Sequence, residues 1–187
     1  MHNAQDQGAS PAATDGPPDG DDPGSSAKGD VPPSSAHHPD APIDTIEIDA
    51  GTLGDADADT LCTAIRDAVP NLSRSVDRIG VQVVDDEAMI ALHTRWHNFD
   101  TTTDVLTFES DATGPIDVDI AVCIDEANRQ AATRGHTAID ELIMYVLHGL
   151  LHCCGHDDHT LEAQARMFAA QDDLLRAIGR PPISEDV

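Results

Sequence analysis

The sequence predicts one domain of the α/β or α+β class, in which helices pack on a small mixed sheet of four strands. Four short β-branched runs are interleaved with segments whose apolar residues recur at helical spacing. The chain has 187 residues, of which 40% are hydrophobic, and this is enough for one domain with a buried core. No apolar run approaches the roughly eighteen residues of a membrane-spanning helix.

Strands and helices are predicted to alternate along most of the chain. The predicted strands cover residues 43–48, 79–84, 104–108 and 116–124. The predicted helices cover residues 57–69, a segment that opens at Asp85, residues 125–134, a segment after Thr137, and about 160–178. Three of these helices are predicted to end at Pro70, Gly135 and Gly179.

The first 41 residues differ from the rest in composition. They are rich in Asp, Pro, Gly, Ser, Ala and His and contain almost no large apolar side chain. Such a segment cannot bury enough surface to offset its loss of chain entropy, so residues 1–41 are predicted to be disordered. Residues 42–187 are predicted to form the single folded domain.

The net charge of -25 argues against extensive phosphate binding, because nucleic-acid contacts normally rest on Lys and Arg. It does not exclude an RNA substrate, since a local basic patch or a partner protein can supply positive charge. The cysteines have neither a paired framework nor a C-x-x-C spacing, so reduced thiols in a soluble cytoplasmic protein fit better than disulfides or a thiolate zinc site. They are Cys62, Cys123, Cys153 and Cys154.

One helix carries most of the polar chemistry. Thr137 and Asp140 have the form of a capping box, and the apolar residues that follow predict a helix in the core. His148 and His152 lie four residues apart, which places them on one face of this helix, one turn apart. Gly155 stands where the helix should end, because glycine readily adopts the left-handed conformation of a helix stop.

The segment after the glycine supplies further candidate ligands, and the turn would bring one of them back beside the two histidines. Two imidazoles on a rigid helix and a third ligand after a turn are typical of a zinc site with an open fourth position. The pattern predicts one zinc-type divalent ion, in preference to a histidine pair satisfied only by hydrogen bonds. A zinc peptidase usually has Glu directly after the first histidine, where this chain has Gly149. The candidates for the third ligand are His156, Asp157, Asp158 and His159.

The run His148-Gly-Leu-Leu-His152-Cys-Cys-Gly155-His-Asp157, together with Thr103-Asp-Val-Leu-Thr-Phe108, resembles the YbeY family of bacterial endoribonucleases. The segment Val83–Glu87 and the pair Asp119-Ile120 before Glu126-Ala127 follow the family's order. The resemblance implies an α+β fold with a four-stranded sheet and about five helices, a zinc-type ion on three histidines, and hydrolysis of RNA. It also implies ribosomal RNA and the small ribosomal subunit or its proteins as partners.

Two positions depart from the family pattern. The family's third histidine lies six residues after the second, where this chain has Asp158, with His159 next to it. Register favours Asp158 and ligand chemistry favours His159, so the third ligand is predicted to be one of these two. Family members also carry an arginine before the Thr-Asp-Val-Leu segment, and His97 takes its place here. The predicted phosphate contacts are therefore Arg95 and, when it is protonated, His97.

The resemblance predicts a single-strand-type endoribonuclease that acts in maturation of the 3′ end of small-subunit ribosomal RNA and in ribosome biogenesis, by metal-assisted phosphodiester hydrolysis. No residue stands out as a general base. Two alternatives stay open: a ribosome-assembly factor whose metal is structural and that catalyses little, and a zinc peptidase, which the missing glutamate disfavours.

Overall fold

Four strands form one mixed sheet, and five α-helices pack on it, in the computed structural model, which describes residues 45–182. The predicted tail, residues 1–41, and the first residues of the predicted first strand lie outside the described residues. The α+β class and the four-stranded mixed sheet are confirmed. The elements are β1 (Thr45–Asp49), α1 (Asp55–Ala68), β2 (Val76–Val84), α2 (Asp86–His97), β3 (Val105–Glu109), β4 (Ile116–Cys123), α3 (Ile124–Arg134), α4 (Ala138–Cys153) and α5 (Leu161–Ala177).

The strand order is β1-β2-β4-β3, so β3 forms one edge of the sheet. The first three strands of this order run parallel, whereas β3 pairs antiparallel with β4, with Thr107 opposite Ile120. Parallel neighbours need a crossover, and α1 and α2 lie in the chain segments that connect strands. None of the helices within residues 45–182 has the length and apolar character needed to cross a membrane.

The two faces of the sheet carry different layers. Side chains alternate along β4, so Ile120 and Val122 point into the large core that α1, α4 and α5 complete. Ala121 and Cys123 point the other way and pack in a smaller cluster with Met89 of α2. The helix α4 and the helix α2 therefore lie on opposite faces of the sheet.

The predicted bounds differ most at β2, which begins at Val76 and not at Ile79. Asp77 and Arg78 interrupt the apolar pattern there, but Arg78 lies opposite Thr45 of β1 and Asp117 of β4, and Asp77 is the extra residue at an irregularity in the pairing with β4. Pairing on both sides keeps Arg78 in the strand although its side chain is polar.

The carboxylate of Asp86, at the start of α2, bonds to groups on α3, on the loop that precedes β3 and at the end of β4. Its carboxylate accepts two hydrogen bonds of 2.7 Å from the guanidinium of Arg129 on α3. It also accepts a bond of 3.1 Å from the Thr102 hydroxyl and one of 3.3 Å from the Cys123 thiol. The Arg129 guanidinium is the main cause that holds the pKa of the Asp86 carboxyl below its usual range.

We expect Asp86→Asn to lower the melting temperature at neutral pH by several degrees, because an amide carries no charge to pair with Arg129. The pKa of Asp86 is lower in the folded than in the unfolded chain. Its ionic stabilisation is therefore fully present above the unfolded pKa of about 3.9, decreases as the pH falls below it, and is lost completely only below the lower pKa of the folded chain.

Thermal denaturation followed by circular dichroism from about pH 7 to about pH 3 measures this difference. The gap between the two melting temperatures should narrow toward the acidic end without closing at about pH 3, because the pKa of Asp86 in the folded chain lies well below its usual range. Asp173→Asn is the control, because the Asp173 side chain is 80% exposed and pairs only within its own helix. A gap between Asp86→Asn and the wild type that stays constant down to the lowest pH would contradict the assignment.

Candidate metal centre

The helix α4 is buried along most of its length. It starts at a capping box in which the Thr137 hydroxyl accepts from the backbone N–H of Asp140 and the Asp140 carboxylate accepts from the backbone N–H of Thr137. Ten of its sixteen residues are buried, so the helix has few positions for accessible polar groups. His148 and His152 occupy two of them, with 18% and 36% of the side chain exposed.

The helix ends in a Schellman motif, as the glycine predicted. Gly155 has φ = 88° and so lies in the left-handed region. Its N–H donates to the carbonyl of His152 at 2.9 Å, and the N–H of His156 donates to the carbonyl of Leu151 at 3.0 Å. This pattern reverses the chain direction and sends the following residues back past the last turn of α4.

Three side-chain atoms converge beside the end of α4. The Nε2 atoms of His148 and His152 lie 3.2 Å apart, with their rings nearly perpendicular. Asp158 Oδ2 lies 3.6 Å from the first of these nitrogens and 3.9 Å from the second. Together the three residues form a group whose ligand atoms all lie within 4.8 Å of one another.

The backbone after Gly155 orients this group. His152 Nδ1 lies 3.0 Å from the carbonyl oxygen of His156, so a hydrogen bond there leaves Nε2 with its lone pair directed at the group. The Asp157 carboxylate accepts from the backbone N–H groups of Asp158, at 2.8 Å, and His159, at 3.1 Å. These two bonds shape the turn that carries Asp158 to the histidines.

His159 lies elsewhere. Its side chain is 87% exposed, and its ring approaches Asp157 at 3.6 Å and Asp158 at 3.9 Å. These three residues form a second, more exposed group of possible ligands. The structure thus brings Asp158, and not His159, together with His148 and His152.

The buried surroundings of His148 favour a neutral imidazole. Burial, and next the nearby charge of His152, lower the pKa of His148. The ring therefore stays unprotonated at neutral pH, with a lone pair available to a metal. The side chain of Gln171 on α5, which is 3% exposed, hydrogen-bonds to this ring.

Sequence reasoning did not find Gln171, although a signal was present. The residue lies between Met167 and Leu174 on the buried face of α5. A polar residue on an otherwise apolar face is expected to have a buried partner. The sequence does not say which partner, because α4 and α5 meet only in the folded chain.

Gly149, directly after the first histidine, faces the sheet. A Cβ atom built there would lie 2.6 Å from Oγ1 of Thr107 on β3 and 3.4 Å from the Ile120 side chain. The absence of a side chain allows α4 to approach β3 this closely. In zinc peptidases this position carries the general base, but here a glutamate would collide with the edge strand.

The residues predicted to contact phosphate lie apart from the three converging atoms. Arg95 and His97 are exposed near the end of α2, on the opposite face of the sheet. The Arg95 guanidinium lies 5.1 Å from the centre of the Trp96 ring, and the His97 ring contacts that of His93. Within the described part of the chain, no hydrogen bond or ion pair joins either residue to His148, His152 or Asp158.

Known proteins resemble this chain over most of the described domain. The profile of the family described as "Endoribonuclease YbeY" matches residues 49–179. Endoribonuclease YbeY of Salinispora tropica is 33% identical over 148 residues, which cover 70% of this chain and 94% of that protein. Endoribonuclease YbeY of Bifidobacterium animalis subsp. lactis is 36% identical over 104 residues, which cover 51% of this chain and 58% of the relative.

The chain therefore spans little more than half the length of the Bifidobacterium relatives that it matches. Among solved structures, the solution structure of TM1509 from Thermotoga maritima aligns with a TM-score of 0.55 at 25% identity. It covers 76% of this chain and 97% of that protein. The profile match, the Salinispora relative and the shared fold agree, and the chain belongs to the YbeY family.

Proposed function

We propose that this protein is a metal-dependent endoribonuclease that cleaves single-stranded segments of RNA, with His148, His152 and Asp158 as the ligands of one zinc-type ion. Family membership supports the reaction class. The convergence of two imidazole nitrogens and one carboxylate oxygen beside the end of α4 supports the ligand set, and it is the observation on which the proposal rests.

The donor set fits such an ion. Ligand atoms about 2.0–2.1 Å from one tetrahedral zinc ion lie roughly 3.3 Å from each other. The separations of 3.2, 3.6 and 3.9 Å are close to this value. Two imidazole nitrogens and a carboxylate oxygen are also ordinary zinc ligands, whereas Cys153 is buried and contributes no atom to this group.

When bound, an ion at this site supplies Lewis acidity toward a phosphoryl oxygen and lowers the pKa of a water molecule. The protein's own residues hold and orient the donors. Gln171 and the carbonyl of His156 set the rings of His148 and His152, and the Asp157 carboxylate sets the turn that positions Asp158. Such supporting bonds keep donors in place while substrate binds.

The substrate we propose is ribosomal RNA, cut during maturation of the 3′ end of the small-subunit RNA in the cytoplasm, with the small ribosomal subunit or its proteins as partners. Family membership supports this substrate. The free thiols of the four cysteines are compatible with a reducing compartment.

Arg95 is our candidate for a phosphate contact, with His97 beside it. Most described arginines pair with a carboxylate, as Arg74 does with Glu109, whereas Arg66 and Arg95 form no ion pair. An exposed, unpaired guanidinium is available to RNA phosphate. Because Arg95 lies on the α2 side of the sheet, an RNA strand that contacts it and the candidate centre must pass around the edge strand β3.

A ribosome-assembly factor with a structural metal is the second candidate function. The engagement of most described arginines in ion pairs favours it, because few cations remain to bind the RNA backbone. In that case metal binding would stabilise the fold, and the protein would act by binding and not by cleavage.

The first test concerns the ligands. We expect His148→Ala and Asp158→Ala to lower zinc affinity at least tenfold and to abolish cleavage of precursor ribosomal RNA, because each removes one of three donors. His159→Ala, which removes an exposed imidazole next to Asp158, should change zinc affinity less than threefold. Zinc content after dialysis against a competing chelator and gel-based cleavage assays measure both effects.

Three results would change the assignment. Equal cleavage by the wild type and His148→Ala would overturn the metal-nuclease proposal. Zinc loss in His159→Ala with retention in Asp158→Ala would make His159 the third ligand. If no variant cleaves, yet the wild type and His148→Ala both restore ribosome maturation in cells that lack the protein, the assembly function is correct.

The second test concerns Gln171. We expect Gln171→Leu to lower zinc affinity about tenfold, because loss of a hydrogen bond to a ligand histidine typically costs ten- to a hundredfold in metal affinity. Gln164→Leu, on the same helix two turns earlier and partly exposed, is the matched control. Calorimetric zinc titration measures both affinities, and equal affinities would show that the Gln171 bond does not support the centre.

The third test concerns Arg95. We expect Arg95→Ala to raise KM for RNA several-fold and to leave kcat unchanged, because the contact positions the strand and does not touch the reacting phosphate. The slope of log affinity against log salt should fall by about one. Arg66→Ala, which removes the other unpaired described arginine, should alter neither quantity. Identical behaviour of the two variants would remove Arg95 from the RNA-binding surface.

A further inference from the structure

A polar cavity of about 300 Å³ lies between the loop that precedes β3 and the helices α3 and α4. The candidate metal ligands do not line it. Its volume is at the lower end of the roughly 300–1,000 Å³ that small-molecule sites occupy, so it suits one base or nucleoside and not a longer fragment. The polar residues of its lining are Thr102, Thr103, Asp104, Glu126, Gln130, Arg134 and Tyr145.

One residue of the lining has an unused hydrogen-bonding group. The Tyr145 side chain is almost completely buried, at 2% exposed, and its hydroxyl has no hydrogen-bond partner within residues 45–182. Buried polar groups are nearly always paired, so an unpaired hydroxyl on a residue that lines a cavity indicates a place for a ligand. Burial, and then the charges of Glu141, Asp104 and Glu126, raise the pKa of Tyr145, so this hydroxyl keeps its proton and can donate.

The charges of the lining exclude phosphate. Asp104 and Glu126 bring two carboxylates, and Arg134 brings the cation of the lining. That cation is engaged, because Arg134 donates at 3.1 Å to the fully buried Glu141. A phosphate group would meet two carboxylates and a guanidinium that is already paired. A neutral group that carries N–H donors would instead find acceptors.

The acceptors are partly free. Asp104 receives the Thr103 hydroxyl and the backbone N–H of Val105 on the same oxygen, Oδ1. Its second oxygen takes part in neither bond. The cavity therefore combines a carboxylate oxygen that can accept with a hydroxyl that can donate, which is the complement of a base edge that has both an amino group and a ring acceptor.

The cavity adjoins the candidate metal centre. Tyr145 and His148 are three residues apart on α4, which places them on neighbouring turns of the same face. The charge of Asp104, which lines the cavity, acts on Tyr145 and also on His148. A nucleotide whose phosphate is at the metal ligands can thus place its own or its neighbour's base in the cavity.

We propose that this cavity binds the base of a nucleotide next to the cleaved phosphate, and that it prefers cytosine to uracil. The inference rests on the proposed RNA substrate. The cytosine amino group donates to the second oxygen of Asp104, since both oxygens of Glu126 already accept from Arg129 and Gln130. The Tyr145 hydroxyl donates to a ring acceptor. Uracil presents a carbonyl oxygen in place of the amino group, and this oxygen would face the carboxylates.

The test is a titration that does not depend on cleavage. Tyr145 is the only tyrosine of the chain, so the NMR signals of a labelled tyrosine ring report on this cavity alone. With the zinc-loaded full chain, cytidine should shift these signals, and uridine should require at least a fivefold higher concentration for the same shift. Inorganic phosphate should leave them unchanged.

Tyr145→Phe is the variant of choice, because it removes a hydroxyl without a partner and leaves the buried ring in place. We expect it to weaken cytidine binding three- to tenfold in calorimetry, the range for loss of one neutral hydrogen bond. Thr133→Ala removes an exposed hydroxyl from α3 outside the lining and should bind cytidine as the wild type does.

Absence of any shift with cytidine, equal shifts with uridine, or a shift with phosphate would each overturn the proposal. Two outcomes distinguish failure of the base site from failure of the proposed nuclease reaction. Cytidine binding in a protein that cleaves no RNA would remove the nuclease function and keep the base site. Cleavage that depends on His148, together with no nucleoside binding, would overturn the base site alone.

Discussion

The burial of α4 is the constraint on which the rest of the structure depends. This helix packs against the sheet and against three other helices, so most of its surface is apolar core. After the capping residue Asp140, the polar groups of the helix lie along one line, at spacings of three and four residues. That line begins at the buried Glu141 and ends at the helix stop, and it passes from the polar cavity to the candidate metal centre. Its members are Glu141, Tyr145, His148 and His152.

Much of the fold follows from local patterns in the sequence. The apolar periodicity and the stop at Gly155 predict α4, and the β-branched runs predict the four strands within a few residues. The proximity of His148 and His152 follows from helix geometry alone, because four residues make about one turn. Such features need no knowledge of distant parts of the chain, so one sequence is enough to predict them.

The remaining parts of the candidate centre depend on contacts that the sequence does not encode locally. The choice between Asp158 and His159 depends on the turn, whose shape rests on the backbone bonds to the Asp157 carboxylate. The spacing in the family pattern points to Asp158, and the usual choice of ligand atom points to His159. In the folded turn, Asp158 lies beside the two histidines and His159 does not. Gln171 approaches His148 because α5 packs on α4, and the cavity exists because three elements meet at Tyr145.

Gly149 limits how this helix can evolve. A glutamate there, as in zinc peptidases, needs space that Oγ1 of Thr107 occupies, since even the Cβ atom would lie 2.6 Å from that oxygen. A single substitution therefore cannot introduce the peptidase pattern. The strand β3 would first have to move or lose its threonine, and each intermediate would be less well packed. The two designs of metalloenzyme share a histidine spacing, but the contact between α4 and β3 requires a change at the strand before a glutamate fits on the helix.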